Sequence, residues 1–245
     1  GGGAFGTGAS SVLRSTFTGN KAGFGGTGSG GGLKSAGGTI DSSTFSDNTA
    51  TKNGGGIRST EGSLTIVNST ISGNTAQAAG GGVSNTGSST GTILNSTIVL
   101  NQAGTDDSGG IRVGGAGAIS TIKNSIVAGN INGEASSAGG LTSGGFNIFG
   151  INGTAGTTGF TLDADDLTAS GALDTLINPT LANNGGLTET HDLVANSLAL
   201  GSGNLTICQD PPVNSVDQRG IMRPQPSGDL FCDVGSVESD LATPL

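Results

Sequence analysis

Short apolar runs punctuate the chain at a regular beat. Ser15-Thr16-Phe17-Thr18-Gly19-Asn20, Ser43-Thr44-Phe45-Ser46-Asp47-Asn48, Ser69-Thr70-Ile71-Ser72-Gly73-Asn74 and Ser96-Thr97-Ile98-Val99-Leu100-Asn101 align without gaps. Ser125-Ile126-Val127-Ala128-Gly129-Asn130 is a degenerate fifth copy. The closing Asn recurs at intervals of 28, 26, 27 and 29 residues. A second marker keeps the same period: Gly2-Gly3-Ala4, Gly31-Gly32-Leu33, Gly55-Gly56-Ile57, Gly81-Gly82-Val83 and Gly109-Gly110-Ile111. Two independent markers locked in phase indicate a structural repeat.

Helical repeats need long helix-forming stretches, whereas this chain is rich in Gly, Ser, Thr and Asn, which disfavour helix interiors. Its apolar positions are mostly β-branched or aromatic and lie in short runs, such as Leu64-Thr65-Ile66-Val67. Several short strands and sharp turns in about 27 residues make one coil of a right-handed parallel β-helix, an all-β solenoid. Five coils stacked at about 4.8 Å would extend roughly 24 Å. Stacking places equivalent residues above one another. Phe17, Phe45, Ile71 and Ile98 are expected to form an apolar ladder inside, stabilised at about 25 cal/mol per Å² buried. Asn20, Asn48, Asn74, Asn101 and Asn130 are expected to form an amide ladder at a bend, since Asn tolerates the left-handed region. The Gly pairs would supply positive φ and close backbone approach. Thr16, Thr44, Thr70 and Thr97 would make a further ladder of unassigned facing.

Regular coils are read over 1–130 and irregular ones over 131–175. The segment 176–245 is read as the last coils and a C-terminal cap of the same domain, because an open end would expose strand edges and an apolar lumen. The chain begins within the Gly-Gly-Ala element, in mid-coil, so the sequence is expected to be a trimmed or mature portion of a longer product.

Composition narrows the picture. Among 245 residues there are 49 Gly, no Trp, no Tyr and a net charge of −9. So little bulky apolar material does not fill one rounded core, but it suits a thin one drawn out along an axis. An acidic, sparsely charged surface argues against nucleic acid, and no apolar run is long enough to insert in a membrane. Cys208 and Cys232 are either two buried thiols or one disulfide closing a loop of about 25 residues. The extracellular cast of the composition favours the disulfide, which would stabilise by about 3 kcal/mol.

The Phe17-x-x-Asn20 and Phe45-x-x-Asn48 motifs, alternating with the Gly-Gly-apolar elements, resemble polymorphic outer-membrane protein repeats of bacterial surface passengers. The stretch Asn178-Pro179-Thr180-Leu181-Ala182-Asn183-Asn184-Gly185-Gly186-Leu187-Thr188-Glu189-Thr190-His191 resembles choice-of-anchor Q bacterial surface proteins. Asp217-Gln218-Arg219-Gly220, Arg223-Pro224, Cys232-Asp233-Val234-Gly235 and Glu238 follow in that family's order. The resemblance implies a secreted or surface-anchored protein without established catalytic residues. The chain departs from it by ending at Leu245 without a sorting tail, so the anchor is missing, cleaved or never existed.

Parallel β-helices also host polysaccharide lyases and hydrolases, whose chemistry calls for positioned carboxylates. Asp106-Asp107 and Asp163, Asp165 and Asp166 are the acidic clusters before the C-terminal part. They read as solvated loops, the second with a weakly supported calcium alternative. Arg58 and Arg112 follow Gly-Gly-Ile elements and would share a face. His191, the single histidine, reads as structural because one His builds no zinc site. Arg219 is expected to hold the cap through Asp217, Asp233 or Glu238. No catalytic residue, cofactor or metal is assigned. The expected role is a non-catalytic structural or adhesive solenoid, extracellular or on the cell surface, bound to itself or to a surface or matrix ligand. Head-to-tail filaments would be one form of that role. A pectate-lyase-like lyase or hydrolase is the alternative, and ice binding through the Thr ladder is a third reading.

Overall fold

A computed structural model of the protein describes residues 1–104, 107–138, 140–226 and 230–241. The chain winds into a parallel β-solenoid. Each coil contributes strands to three principal sheets, and every strand pair is parallel. Sheet A stacks Ala4–Phe5, Leu33–Ser35, Ile57–Ser59, Val83–Thr86, Ile111–Gly114, Ala135–Ser137 and Thr157–Thr158. Sheet B runs from Ser10–Leu13 through Gly38–Asp41, Ser63–Val67, Thr90–Leu94 and Ile119–Lys123 to Leu141–Ser143. Sheet C carries the repeat motif, from Thr16–Thr18 through Thr44–Ser46, Thr70–Ser72, Thr97–Val99, Ile126–Ala128 and Ile148–Phe149 to Leu167–Thr168. A narrow fourth sheet pairs Lys21–Ala22, Thr49–Ala50 and Thr75–Ala76.

The registers realise the ladders read from the sequence. Phe17 pairs with Phe45, Phe45 with Ile71, Ile71 with Ile98 and Ile98 with Val127. The Phe17 and Phe45 rings stack with centroids 4.7 Å apart. Facing this column are Leu33, Ile57, Val83 and Ile111 from sheet A and Ile40, Ile66, Ile93 and Ile122 from sheet B, all buried in one core. Strand alternation puts one residue in two into the lumen, which is how a chain poor in large apolar residues still fills it.

Left-handed backbone turns the corners, but not at the ladder asparagines. Positive φ occurs one residue earlier, at Gly19, Asp47, Gly73, Leu100 and Gly129, and again at Arg14, Ser42, Asn68, Asn95 and Asn124. The Gly pairs divide the work differently from expectation as well. In three of the repeats positive φ belongs to the glycine before the pair, Gly30, Gly54 (φ 67°) and Gly80, while the pair itself provides close approach. A Cβ on Gly55 would lie 2.4 Å from the Gly81 carbonyl oxygen of the next coil.

The end of the stack is closed by a different segment from the one expected. Phe160 and Leu162 pack on the core after Thr157–Thr158, with the Phe160 ring edge-on to Phe149 at 5.8 Å. Coils shorten here: Ile126, Ile148 and Leu167 pair in succession at intervals of 22 and 19 residues. Residues 176–241, read from sequence as last coils and cap, instead lie along the outer surface of sheet C. Among the described residues this flank has only isolated antiparallel bridges and one short helix, Leu205–Gln209. Asn204 caps that helix, accepting from Ile207 N–H at 3.2 Å. Leu176, Ile177, Leu193, Ala199, Leu200 and Val234 cover Val99, Ile126 and Ala128. Val213 covers Val67 and Leu94.

Candidate functional site

Two polar ladders run the length of the coils. In the first, the backbone N–H and side-chain amide of each Asn both donate to Oδ1 of the next: Asn20 to Asn48, Asn48 to Asn74, Asn74 to Asn101 and Asn101 to Asn130, at 2.8–3.0 Å. Each amide from Asn48 onward also reaches back to a carbonyl of the preceding coil, such as Asn74 Nδ2 to Phe45 O at 2.9 Å. Every Asn-to-Asn bond is donated toward the C-terminal end, so the last rung needs an acceptor without a further Asn. Glu134 supplies it: Oε2 accepts from Asn130 N and Nδ2 at 3.0 and 2.6 Å. Burial pushes this carboxyl up to about 7 against the opposing effect of those hydrogen bonds.

The second ladder uses the Ser that opens each repeat motif. Ser15, Ser43, Ser69 and Ser96 each donate a backbone N–H to the hydroxyl of the next, ending at Ser125. Ser125 N then donates to Asn147 Oδ1, and Asn147 donates to Asp166 Oδ1 through both N and Nδ2. A carboxylate therefore terminates this ladder too. Sequence reading named the Asn set and missed Glu134 and the role of Asp166. The invariant Ser in each aligned motif was a visible signal of the second ladder. Asp166 Oδ2 accepts from Asp163 N, and Asp163 Oδ1 from Asp165 N, so this acidic loop is tied by its own backbone. Among the described residues no group of acids, His or Cys is arranged to hold a metal ion.

The Thr column faces outward, under the flank. Thr44 Oγ1 donates to Glu189 O, Thr70 Oγ1 donates to Gln218 Oε1 at 2.7 Å, and Thr97 Oγ1 accepts from Ser236 N at 3.0 Å. Thr44 and Thr70 are 0% exposed, which removes the ice-binding face. His191 belongs to the same seam. Its Nδ1 lies 2.9 Å from the Asn178 carbonyl, which only accepts, so Nδ1 carries the proton and Nε2 accepts from Ser72 Oγ at 2.8 Å. Burial lowers its pKa from 6.5. Ser72 and His191 have the spacing of a nucleophile and its base, but both are buried, at 5% and 1% exposure, and serve as a fastener.

Arg219 pairs with Asp217 Oδ2 at 2.8 Å and Asp192 at 3.5 Å, and donates to the Glu238 backbone carbonyl. The carboxylate of Glu238 serves a second, wholly buried arginine, Arg223, at 2.8 Å. Asp233 accepts from Gly201 N and Ser239 N, and burial followed by the neighbouring Glu238 charge pushes it up to about 7. Cys208 and Cys232 form the disulfide. Both sulfurs lie against the coil corner, with Asn95 Nδ2 3.1 Å and Asn124 Nδ2 3.3 Å from Cys208 Sγ.

A further polar surface with convergent groups is the outside of sheet A. Its outward residues stack as Phe5, Lys34, Arg58, Ser84, Arg112 and Ser136. Arg58 and Arg112 do share a face, with Ser84 between them. Arg112 is ion-paired with Asp107, which also accepts from Ser136 Oγ. Asp106, the other acid named there from sequence, lies outside the described residues. A groove of about 440 Å³ beside this pair is lined by Asn53, Gln77, Gly104, Asp107 and Arg112 among others. No protein-family model, curated protein or solved structure matches the chain.

Proposed function

We propose that this protein is a non-catalytic structural or adhesive β-solenoid that works outside the cell or on its surface. One observation carries the reading: His191, Ser72, Arg219, Arg223, Glu134 and Asp166, side chains of catalytic type, are committed to joining the flank to the coils or ending the ladders. His191 and Ser72 fasten to each other, Arg219 and Arg223 bind the flank's own carboxylates, and Glu134 and Asp166 terminate the amide and hydroxyl columns. The disulfide suits an oxidising compartment. The similarity to choice-of-anchor Q surface proteins points the same way.

Head-to-tail filaments are not part of this reading. Such growth needs free N–H donors at the C-terminal end to meet Asn20 and Ser15 of the next copy. There Glu134 and Asp166 have taken the donors, and Phe160 and Leu162 fill the lumen. The test is incubation with a panel of acidic and neutral polysaccharides, together with fractionation of source cells. Unchanged polymer and recovery from the surface or secreted fraction are expected. Turnover abolished by Asp107→Asn would overturn the reading in favour of a lyase or hydrolase.

A further inference from the structure

The outer column of sheet A carries positive charge on a chain whose net charge is −9. Lys34 and Arg58 occupy successive rungs, and Arg112 lies two rungs further on. Arg112 has its counter-ion in Asp107, with Ser136 completing the cluster. Arg58 differs. Its guanidinium is half-buried and oriented by hydroxyls alone, Nη1 to Ser29 Oγ at 2.9 Å and Nη2 to Thr86 Oγ1 at 3.3 Å. Among the described residues no carboxylate pairs with Arg58 or Lys34. Two buried polar atoms there also lack partners, Arg58 Nε and the Ser84 hydroxyl on the adjoining rung. Desolvation lowers the Arg58 pKa, with no neighbouring anion to offset it. A half-desolvated cation held in place without a counter-charge is arranged for an anion from outside. Asp107 on Arg112 displays within the same column the contact that an incoming carboxylate would make on Arg58.

We infer that the Lys34–Arg58 rungs of sheet A form a binding site for a carboxylate-bearing glycan laid along the coil axis. This names a ligand class for the adhesive role proposed above and rests on that reading. Successive rungs advance about 4.8 Å, comparable with one sugar unit of an extended chain, so neighbouring acidic sugars would meet neighbouring cations. Around the cations lie hydroxyl and amide groups, Ser29, Thr86 and Asn53, suited to a hydroxylated polymer. Two cations without a paired carboxylate among the described residues, Lys34 resting on the Phe5 ring, are too few for a polyphosphate track. The chain has no Trp or Tyr, and the aromatic face beside the site is the exposed Phe5 ring, 5.1 Å from Lys34 Nζ, on which one sugar ring could rest.

Calorimetric titration of the whole protein with a galacturonate oligomer, its methyl ester and an oligoglutamate tests the inference. Binding of the galacturonate oligomer alone is expected. Arg58→Gln should weaken it by about tenfold or more, Lys34→Gln should also weaken it, and Arg14→Gln, at a distant corner, should not. Arg58→Lys keeps the charge without the fork and should fall between wild type and Arg58→Gln, which keeps the test open if the Gln variant folds poorly. Absent binding, equal affinity in the folded Arg58→Gln protein, or equally tight oligoglutamate would overturn the site. Cleavage of the bound oligomer would leave the site standing and overturn the non-catalytic reading, so the two failures are distinguishable.

Discussion

Asn130 presents both its backbone N–H and its side-chain amide to a single oxygen, Oε2 of Glu134, only four residues further along the chain. Every earlier rung is answered by an Asn a full coil away, so Glu134 ends the column by doing locally what a next coil would otherwise do. The carboxyl sits at about 7, above the ordinary 4.5. As pH rises from about 4.5, the unfolded chain releases this proton while the folded chain keeps it. The group's contribution is therefore fullest below 4.5 and is lost by about 7, a span worth on the order of 3 kcal/mol. Glu134→Gln keeps an acceptor without the charge. Urea unfolding across this range should show a flatter pH profile for the variant and a gain in stability at pH 8. Asp233, also near 7, leaves part of the slope in place.

Interior and first rungs should respond differently to the same change. Asn74→Ala leaves Asn48 N and Nδ2 buried without their acceptor and strips Phe45 O and Asn101 Oδ1 of a donor. A loss of about 3 kcal/mol or more is expected. Asn20→Ala removes one half-buried bond and should cost about 1 kcal/mol or less. Equal losses in denaturant titrations would show that the column does not act as a column.

The disulfide closes a sequence separation of 24 residues and places its sulfurs on the amides of Asn95 and Asn124. Reduction, or replacement of both cysteines by Ser, should destabilise the protein by about 3 kcal/mol. Calorimetric scans with and without reductant would register this as a lower melting temperature, absent in the double variant.

His191 should stay neutral at its ordinary value of 6.5 and begin to charge only below it. Its pKa is lowered by burial, so its contribution is present above 6.5, the ordinary value, and is lost as pH falls through the depressed one. This is opposite in direction to Glu134. Nitrogen NMR of the imidazole at neutral pH should report a proton on Nδ1 and none on Nε2. A protonated Nε2 would remove Ser72 as its donor.

The stacked parts of this molecule were legible because a parallel coil repeats its environment. Phe17, Phe45, Ile71 and Ile98 fall on one register, so their period alone revealed the column. Glu134 and Asp166 were not legible, because each replaces an Asn or Ser by a different residue type at a non-periodic distance. The flank was misjudged for a related reason. Gln218 meets Thr44 and Thr70, and His191 meets Ser72, across more than a hundred residues, and contacts of that kind carry no beat. Arg58 was visible as a residue, but that no carboxylate among the described residues pairs with it shows only in the fold.

The seam along sheet C changes how this solenoid should come apart. Coils that touch only their neighbours fray from the ends and melt piecemeal. Here a strap of distant sequence grips Thr44, Thr70, Thr97 and Asn124, one on each of four successive coils. No gripped coil can peel away until that strap is released, so the array is expected to unfold as one cooperative block.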